Sequence, residues 1–402
     1  MASLFFATAA VSDESASARA DAPRKTSQVL FLRVGFADTP ATQGTEYFRN
    51  EAGTGLVDRL GNYYAQVSGN RFAIEPVFSE KVYRLPKAKK SYESRPTEMI
   101  SDALQLAARP GPEGERPLLE SIDPDVVFIF FAGPGAESDI EKRNPGLPWS
   151  NAISGSLPSP IASWSGPSGV IVGDSPLHGL SPFGVMAHEF GHILGLPELY
   201  APGKTHEGIG VWGLMGQGTW VGMGDRPPAL SAWSKLKLGW VDPIVIDSSQ
   251  TVKLPAVGDG KTVVKIYAKG PEYPQEYFLL ENRLRRGVDG RLPGEGLLIW
   301  HVDETRRSFR RSQDNPQRKR IDLLTADSWP SHLDRGHTRG GNRGDAGDPF
   351  VSRRYAVGPR SEPSTGAYDG TRGRFSIRNV SPAGDIMTFD VQFETPEPAG
   401  PE

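Results

Sequence analysis

The stretch "VMAHEFGHILGLPELY", residues 185–200, decides how this chain is read. His188 and His192 stand four positions apart with Glu189 between them. On an α-helix four residues rotate the chain by about 400°, so both imidazoles share one face, one turn apart, and can reach a single ion. Glu189 then stands beside that ion and not on it, where a carboxylate can take a proton from a water molecule. The rest of the helix (Val185, Met186, Phe190, Ile193, Leu194) is apolar. Two histidines and a glutamate are costly in such a wall unless they are engaged. A pair of core histidines would account for burial, but not for spacing, base and helix ending together.

The ends of the helix are also written in the sequence. Ser181 is placed to cap it, Pro182 suits its first position, and Gly195 can take the positive φ of a left-handed stop. Pro197 prevents the helix from resuming, so the chain bends back and Glu198 can project toward the metal. Two neutral histidines and one carboxylate, with a position left for water, form a sound catalytic zinc set. His206 and Asp225 are the other candidates for third ligand.

Around this helix, the first half of the chain alternates strand and helix patterns. "QVLFLRVGFAD" (28–38), "DVVFIFFAG" (125–133) and "GVIVGD" (169–174) read as buried strands, and 71–85 as one strand or a pair. Leu56, Leu60 and Tyr63/Tyr64 fall at helical spacing, as do Met99, Ala103 and Leu106. Beyond about Trp240 short strands dominate: "TVKLPAV", "KTVVKIYAKG", "EYFLLENR", "GEGLLIWHVDE" and "IMTFDVQF". No helical pattern follows the one at 230–239. Residues 305–375, dense in Arg, Asp and Gly, read as a loop set and not as core. The fold class expected is α+β, a mixed sheet with helices followed by a β-rich region. The domains expected are 26–244 (catalytic) and 245–395 (β-rich accessory), with 1–25 and 396–402 as disordered ends.

Composition removes several alternatives. The chain has no cysteine, which excludes disulfides, thiolate metal sites and cysteine nucleophiles. A net charge of −3 gives no reason to expect nucleic acid as a partner. No run approaches the roughly 20 apolar residues of a membrane span. The N-terminal "LFFATAAV" has the length of a signal-peptide core, although no basic residues precede it, and suggests secretion. The "RGD" at 343–345 lies in a stretch biased toward those residues, where a chance match is the plain reading. In the same loop, Asp345 and Asp348 with neighbouring glycines offer oxygen ligands of the kind calcium takes, or else an ordinary capped turn. His301 reads as a core histidine bonded near Asp303.

The string from His188 to Glu198 resembles the metzincin zinc-binding pattern. "VWGLMGQGTW" (211–220) resembles the methionine turn of that clan, with Met215 as its methionine. More narrowly, these strings with "YFLLENR", "GLLIWHVDE" and "GDAGDPF" are similar to the immune inhibitor A-type metallopeptidases, secreted bacterial enzymes. The resemblance implies a zinc endopeptidase with a metzincin-like catalytic domain, often stabilised by calcium, acting on protein or peptide substrates. It also implies an edge strand near 148–166 that pairs with extended substrate, where Trp149 and Trp164 either line the cleft or pack the loop. Glu198 departs from the family, which usually has Asp there. The alternatives are a zinc exopeptidase and a catalytically inactive binding or adhesion module on the same scaffold.

Overall fold

The computed structural model describes residues 25–110, 117–155, 157, 164, 166–201, 203, 205–257, 262–307, 313–327, 331–336, 340–352 and 356–394. Apart from Lys25, the signal-like segment falls outside these residues, as does the tail 396–402. The chain clusters into two compact units. One is Pro23–Leu196 with Thr219–Pro227; the other is built on Pro197–Gly218 and Pro228–Glu402. These boundaries differ from the change of composition near residue 245.

In the first unit the apolar runs become the strands of one sheet: β1 (Lys25–Gly35), β2 (Phe72–Arg84), β3 (Val126–Phe131), β4 (Asn151–Ile153) and β5 (Ser168–Gly173), in the order β2-β1-β3-β5-β4. All pairs are parallel except β4–β5, so β4 is an antiparallel edge. Parallel strands need crossovers: α1 (Thr45–Phe48) and α2 (Leu56–Val67) lie between β1 and β2, and α3 (Pro96–Ala107) between β2 and β3, while α4 (Phe183–Ile193) follows β5.

Both faces of this sheet are covered, which is why β3 is apolar throughout and β1 is apolar from Val29 on, except at Arg33. On one face Leu30, Leu32, Val127 and Ile129 pack in a cluster with Met99, Ile100, Ala103 and Leu104 of α3. On the other, Phe31 lies against Phe128 and Phe130, with ring centroids 5.3 and 6.2 Å away. Phe190 of α4 meets Tyr64 of α2 at 5.0 Å and Phe72 of β2 at 6.2 Å.

The second unit is β-rich. One sheet has the order β11-β10-β9-β8-β6 and the other β12-β13-β7, where β6 is Asp242–Val245, β7 Gln250–Pro255, β8 Thr262–Tyr267, β9 Glu276–Arg283, β10 Gly296–Asp303, β11 Ile321–Leu324, β12 Phe375–Arg378 and β13 Ile386–Phe393. A shared apolar core joins the two sheets through Leu254, Ile266, Phe278, Ile299, Phe375 and Phe389. Helix α5 (Ala232–Lys237) starts at Ser231, whose side chain accepts the Ser234 N–H.

Two expectations need correction here. Residues 305–375 are not only loops: they contribute β11, and they bury Lys319, Leu333 and Phe350. Lys319 is fully enclosed because Asp322 and Asp334 both pair with it. His301 is buried as expected, but its Nε2 meets Glu276 Oε1 at 3.0 Å rather than Asp303. Its ring is stacked between Phe278 and Tyr368, at 4.3 and 4.1 Å.

Candidate metal centre

Helix α4 forms where the sequence places it. Pro182 already has helical angles, and its carbonyl accepts the Met186 N–H at 2.9 Å. Ser181 Oγ accepts the Phe183 N–H at 3.3 Å, which is the work of a cap. At the other end Gly195 takes φ +91° and its N–H donates to the His192 carbonyl. The Tyr64 hydroxyl donates to the Ala187 carbonyl at 2.7 Å, tying the middle of α4 to α2.

Within the continuous stretch 188–198, one ligand atom each of His188, His192 and Glu198 lies within 4.8 Å of the others. The two imidazole rings stand 4.7 Å apart and nearly perpendicular, at 87°. Each ring is oriented through Nδ1. His188 Nδ1 meets Thr219 Oγ1 at 3.0 Å, and His192 Nδ1 meets the Leu196 carbonyl at 2.7 Å. In the tautomer that donates from Nδ1, Nε2 of each ring presents its lone pair, the usual arrangement of a metal-ligating histidine.

Thr219 is a residue that the sequence reading missed. Its approach depends on Gly184: a Cβ at that position would stand 2.0 Å from the Thr219 carbonyl oxygen. Positions 184 and 188 share a face of α4, but no periodicity reaches 219, and only a glycine within an apolar helix hinted at a close neighbour.

The rival ligands lie elsewhere. His206 is buried, and its Nδ1 accepts the Gly208 N–H at 3.1 Å. Burial pushes its pKa down to about 4, and Lys319 adds to that. It belongs to none of the metal-ligating groups found among the described residues. Asp225 pairs with Arg59 at 2.8 Å and is likewise outside them. Met215 is buried in the turn closed by the Gly216 N–H to Gly213 carbonyl bond, and its own carbonyl accepts the Leu199 N–H at 2.9 Å. Trp164 packs into the core and donates to the Leu119 carbonyl at 3.2 Å, whereas Trp149 is exposed just before β4.

A second group of carboxylates is present. Asp327 joins Asp345 and Asp348, with one oxygen of each within 4.8 Å of the others. Burial raises the Asp348 carboxyl to about 6, with Asp345 and Asp327 adding to the effect.

Residues 174–241 match the catalytic domain of the immune inhibitor A peptidases, family M6. This stretch is of the immune inhibitor A type. The pre-pro-metalloprotease PrtV of Vibrio cholerae serotype O1, in each of two strains, is 45% identical over 56 residues. Those residues are 13% of this chain and 6% of the relative, so the chain matches only a small part of that protein. Among solved structures, catalytically inactive OgpA from Akkermansia muciniphila in complex with an O-glycopeptide is similar at 15% identity, over 70% of this chain and 84% of that one, with a TM-score of 0.31. The immune inhibitor A-type stretch contains Glu189, the clustered His188, His192 and Glu198, Thr219 and Met215. Among the described residues no helix is long and apolar enough to cross a membrane.

Proposed function

We propose that this chain is a secreted zinc endopeptidase, with a metzincin-like catalytic domain over 26–244 and a β-rich accessory domain over 245–395. The observation that supports this reading is the cluster of His188, His192 and Glu198 beside Glu189, with both histidines oriented through Nδ1. Zinc held by these three residues would polarise the scissile carbonyl and make water a better nucleophile at neutral pH. Glu189 takes the proton of the attacking water and passes it to the leaving nitrogen. The Leu196 carbonyl, which can only accept, holds His192 in the tautomer this task needs, and Thr219 Oγ1 can accept from His188 Nδ1 in the same way. Met215 supports the segment that carries Glu198, through the bond from Leu199 N–H to its carbonyl. The outer edge of β4 offers backbone groups to an extended peptide, a mode of recognition that suits an endopeptidase because it demands no particular side chain.

The test is metal analysis of purified protein beside hydrolysis of denatured casein. Glu189→Ala is expected to keep its zinc and to lose hydrolysis, because the base acts on water and is not a ligand. Near-normal activity in that variant would overturn the mechanism, and full activity of zinc-free wild type would overturn the metal assignment.

A further inference from the structure

We infer that Glu137 is a positioning residue for the substrate: its carboxylate clamps Ser150, holds the edge strand β4 in place beside α4, and so fixes the register of an extended peptide on that edge. This role rests on the peptidase reading given above. Strand β4 has three residues and spans about 10 Å. It pairs only with β5, through Asn151–Ile171, Ala152–Val170 and Ile153–Gly169. So short a ladder holds a strand weakly. Its other edge pairs with no strand among the described residues. Both ends of β4, however, meet groups outside the ladder. Past its last residue, Ser154 Oγ stands 3.5 Å from the His192 carbonyl oxygen, which puts this end beside one of the clustered histidines. Before its first residue, the Ser150 N–H donates to Glu137 Oε2 at 3.0 Å and the Ser150 hydroxyl donates to Oε1 at 2.7 Å. Both oxygens of one carboxylate thus grip one buried residue, and bonds to an ionised acceptor are roughly twice as strong as neutral ones.

Glu137 itself stands on a braced loop. The Ala136 N–H donates to the Pro148 carbonyl at 2.8 Å and closes the loop across its neck. Ser138 Oγ donates to the Gly135 carbonyl at 2.8 Å and accepts the Leu177 N–H at 3.2 Å. Just upstream, the buried Lys89 Nζ donates to the carbonyls of Ala132 and Pro134, each at 2.8 Å, and the Gly133 N–H donates to Asp174 Oδ1 at 2.8 Å. A Cβ on Gly173, at the end of β5, would stand 2.5 Å from the Gly135 nitrogen. The start of the loop is therefore pressed onto the end of the strand that β4 pairs with.

A peptide that adds to this edge takes its register from the N–H and C=O groups of β4. A slip by one residue turns every side chain over and presents a different bond to the site. Holding Ser150 from the loop side and Ser154 beside α4 limits such a slip without any contact between Glu137 and the peptide.

Steady-state kinetics of the full chain on a quenched casein-derived peptide test this. Glu137→Ala is expected to raise KM about tenfold while kcat stays within about twofold, because it loosens binding and leaves the reacting groups alone. Glu137→Gln can still accept the Ser150 N–H and donate to its hydroxyl, so it should recover most of the lost affinity. Ser150→Ala removes only the hydroxyl bond and should raise KM about threefold; combined with Glu137→Ala it should add little, since the partner is already gone. Without substrate, hydrogen exchange at the Ser150 amide should quicken in Glu137→Ala. An unchanged KM, a loss confined to kcat, or fully additive effects of the two substitutions would overturn the positioning role. Unchanged exchange at Ser150 would overturn the clamp. Wild type that does not cleave the peptide would overturn the peptidase reading and the positioning role with it, and exchange at Ser150, which needs no substrate, tells that outcome apart from failure of the clamp alone.

Discussion

Lowering the pH should destabilise this protein through His206. The imidazole is 1% exposed, and accepting the Gly208 N–H keeps Nδ1 unprotonated. Protonation would break that bond and place a charge near Lys319 in a buried setting. The folded-state pKa is about 4, against 6.5 for an ordinary histidine. The unfolded chain therefore takes up a proton as pH falls through 6.5, while the folded chain does so only near 4. Stability from this group is complete above pH 7 and is lost between those two values. From pH 7 to pH 5 the loss comes to at most about 2 kcal/mol, at 1.36 kcal/mol per unit. That corresponds to a drop of roughly 4–8 °C in melting temperature for a domain of this size. His206→Asn supplies an oxygen in place of Nδ1 and does not titrate, so it serves as the reference. Melting temperatures of both proteins from pH 7.5 to 4.5 provide the assay. Wild type should lose more than the variant as acid is added, whatever the other groups do. Parallel curves would refute the assignment of a buried neutral histidine.

Glu198→Ala should lose zinc on mild dialysis, because two histidines on one helix face hold the ion poorly, while His206→Asn should keep it; metal analysis distinguishes the two. Thr219→Val leaves His188 Nδ1 without its oxygen and should weaken zinc affinity about 10- to 100-fold, read by competition with a chelator. Gly184→Ala should act in the same direction and also cost about 1–3 kcal/mol in stability, since its methyl group would meet a backbone oxygen that cannot rotate away. Unchanged zinc affinity in both of these variants would show that Thr219 does not position His188.

The elements most visible in the sequence were those whose burial leaves no choice of residue. Strands β1 and β3 are covered on both faces, so their apolar runs were plain. Helix α4 was marked by its cap, its proline and Gly195. The strands that escaped notice, β6, β11 and β12, are four residues long, too short for an alternation to emerge, and β4 was expected only through the family resemblance. Charge misled at 305–375, because composition does not reveal pairing and Lys319 is buried by its two aspartates. The ligand spacing in α4 could be read because a helix repeats. Thr219 and Asp327 could not, because they reach His188 and Asp348 through tertiary structure alone.

The bond from Tyr64 to the Ala187 carbonyl has a consequence in alkali. A phenol normally gives up its proton near pH 10 and ceases to donate. Tyr64 is fully enclosed, and that burial raises its pKa well above the ordinary value. Its proton therefore stays in place in strongly basic solution, and α4 keeps its tie to α2 there. Whatever limits this protein at high pH, the anchoring of helix α4 through Tyr64 is not the first thing to fail.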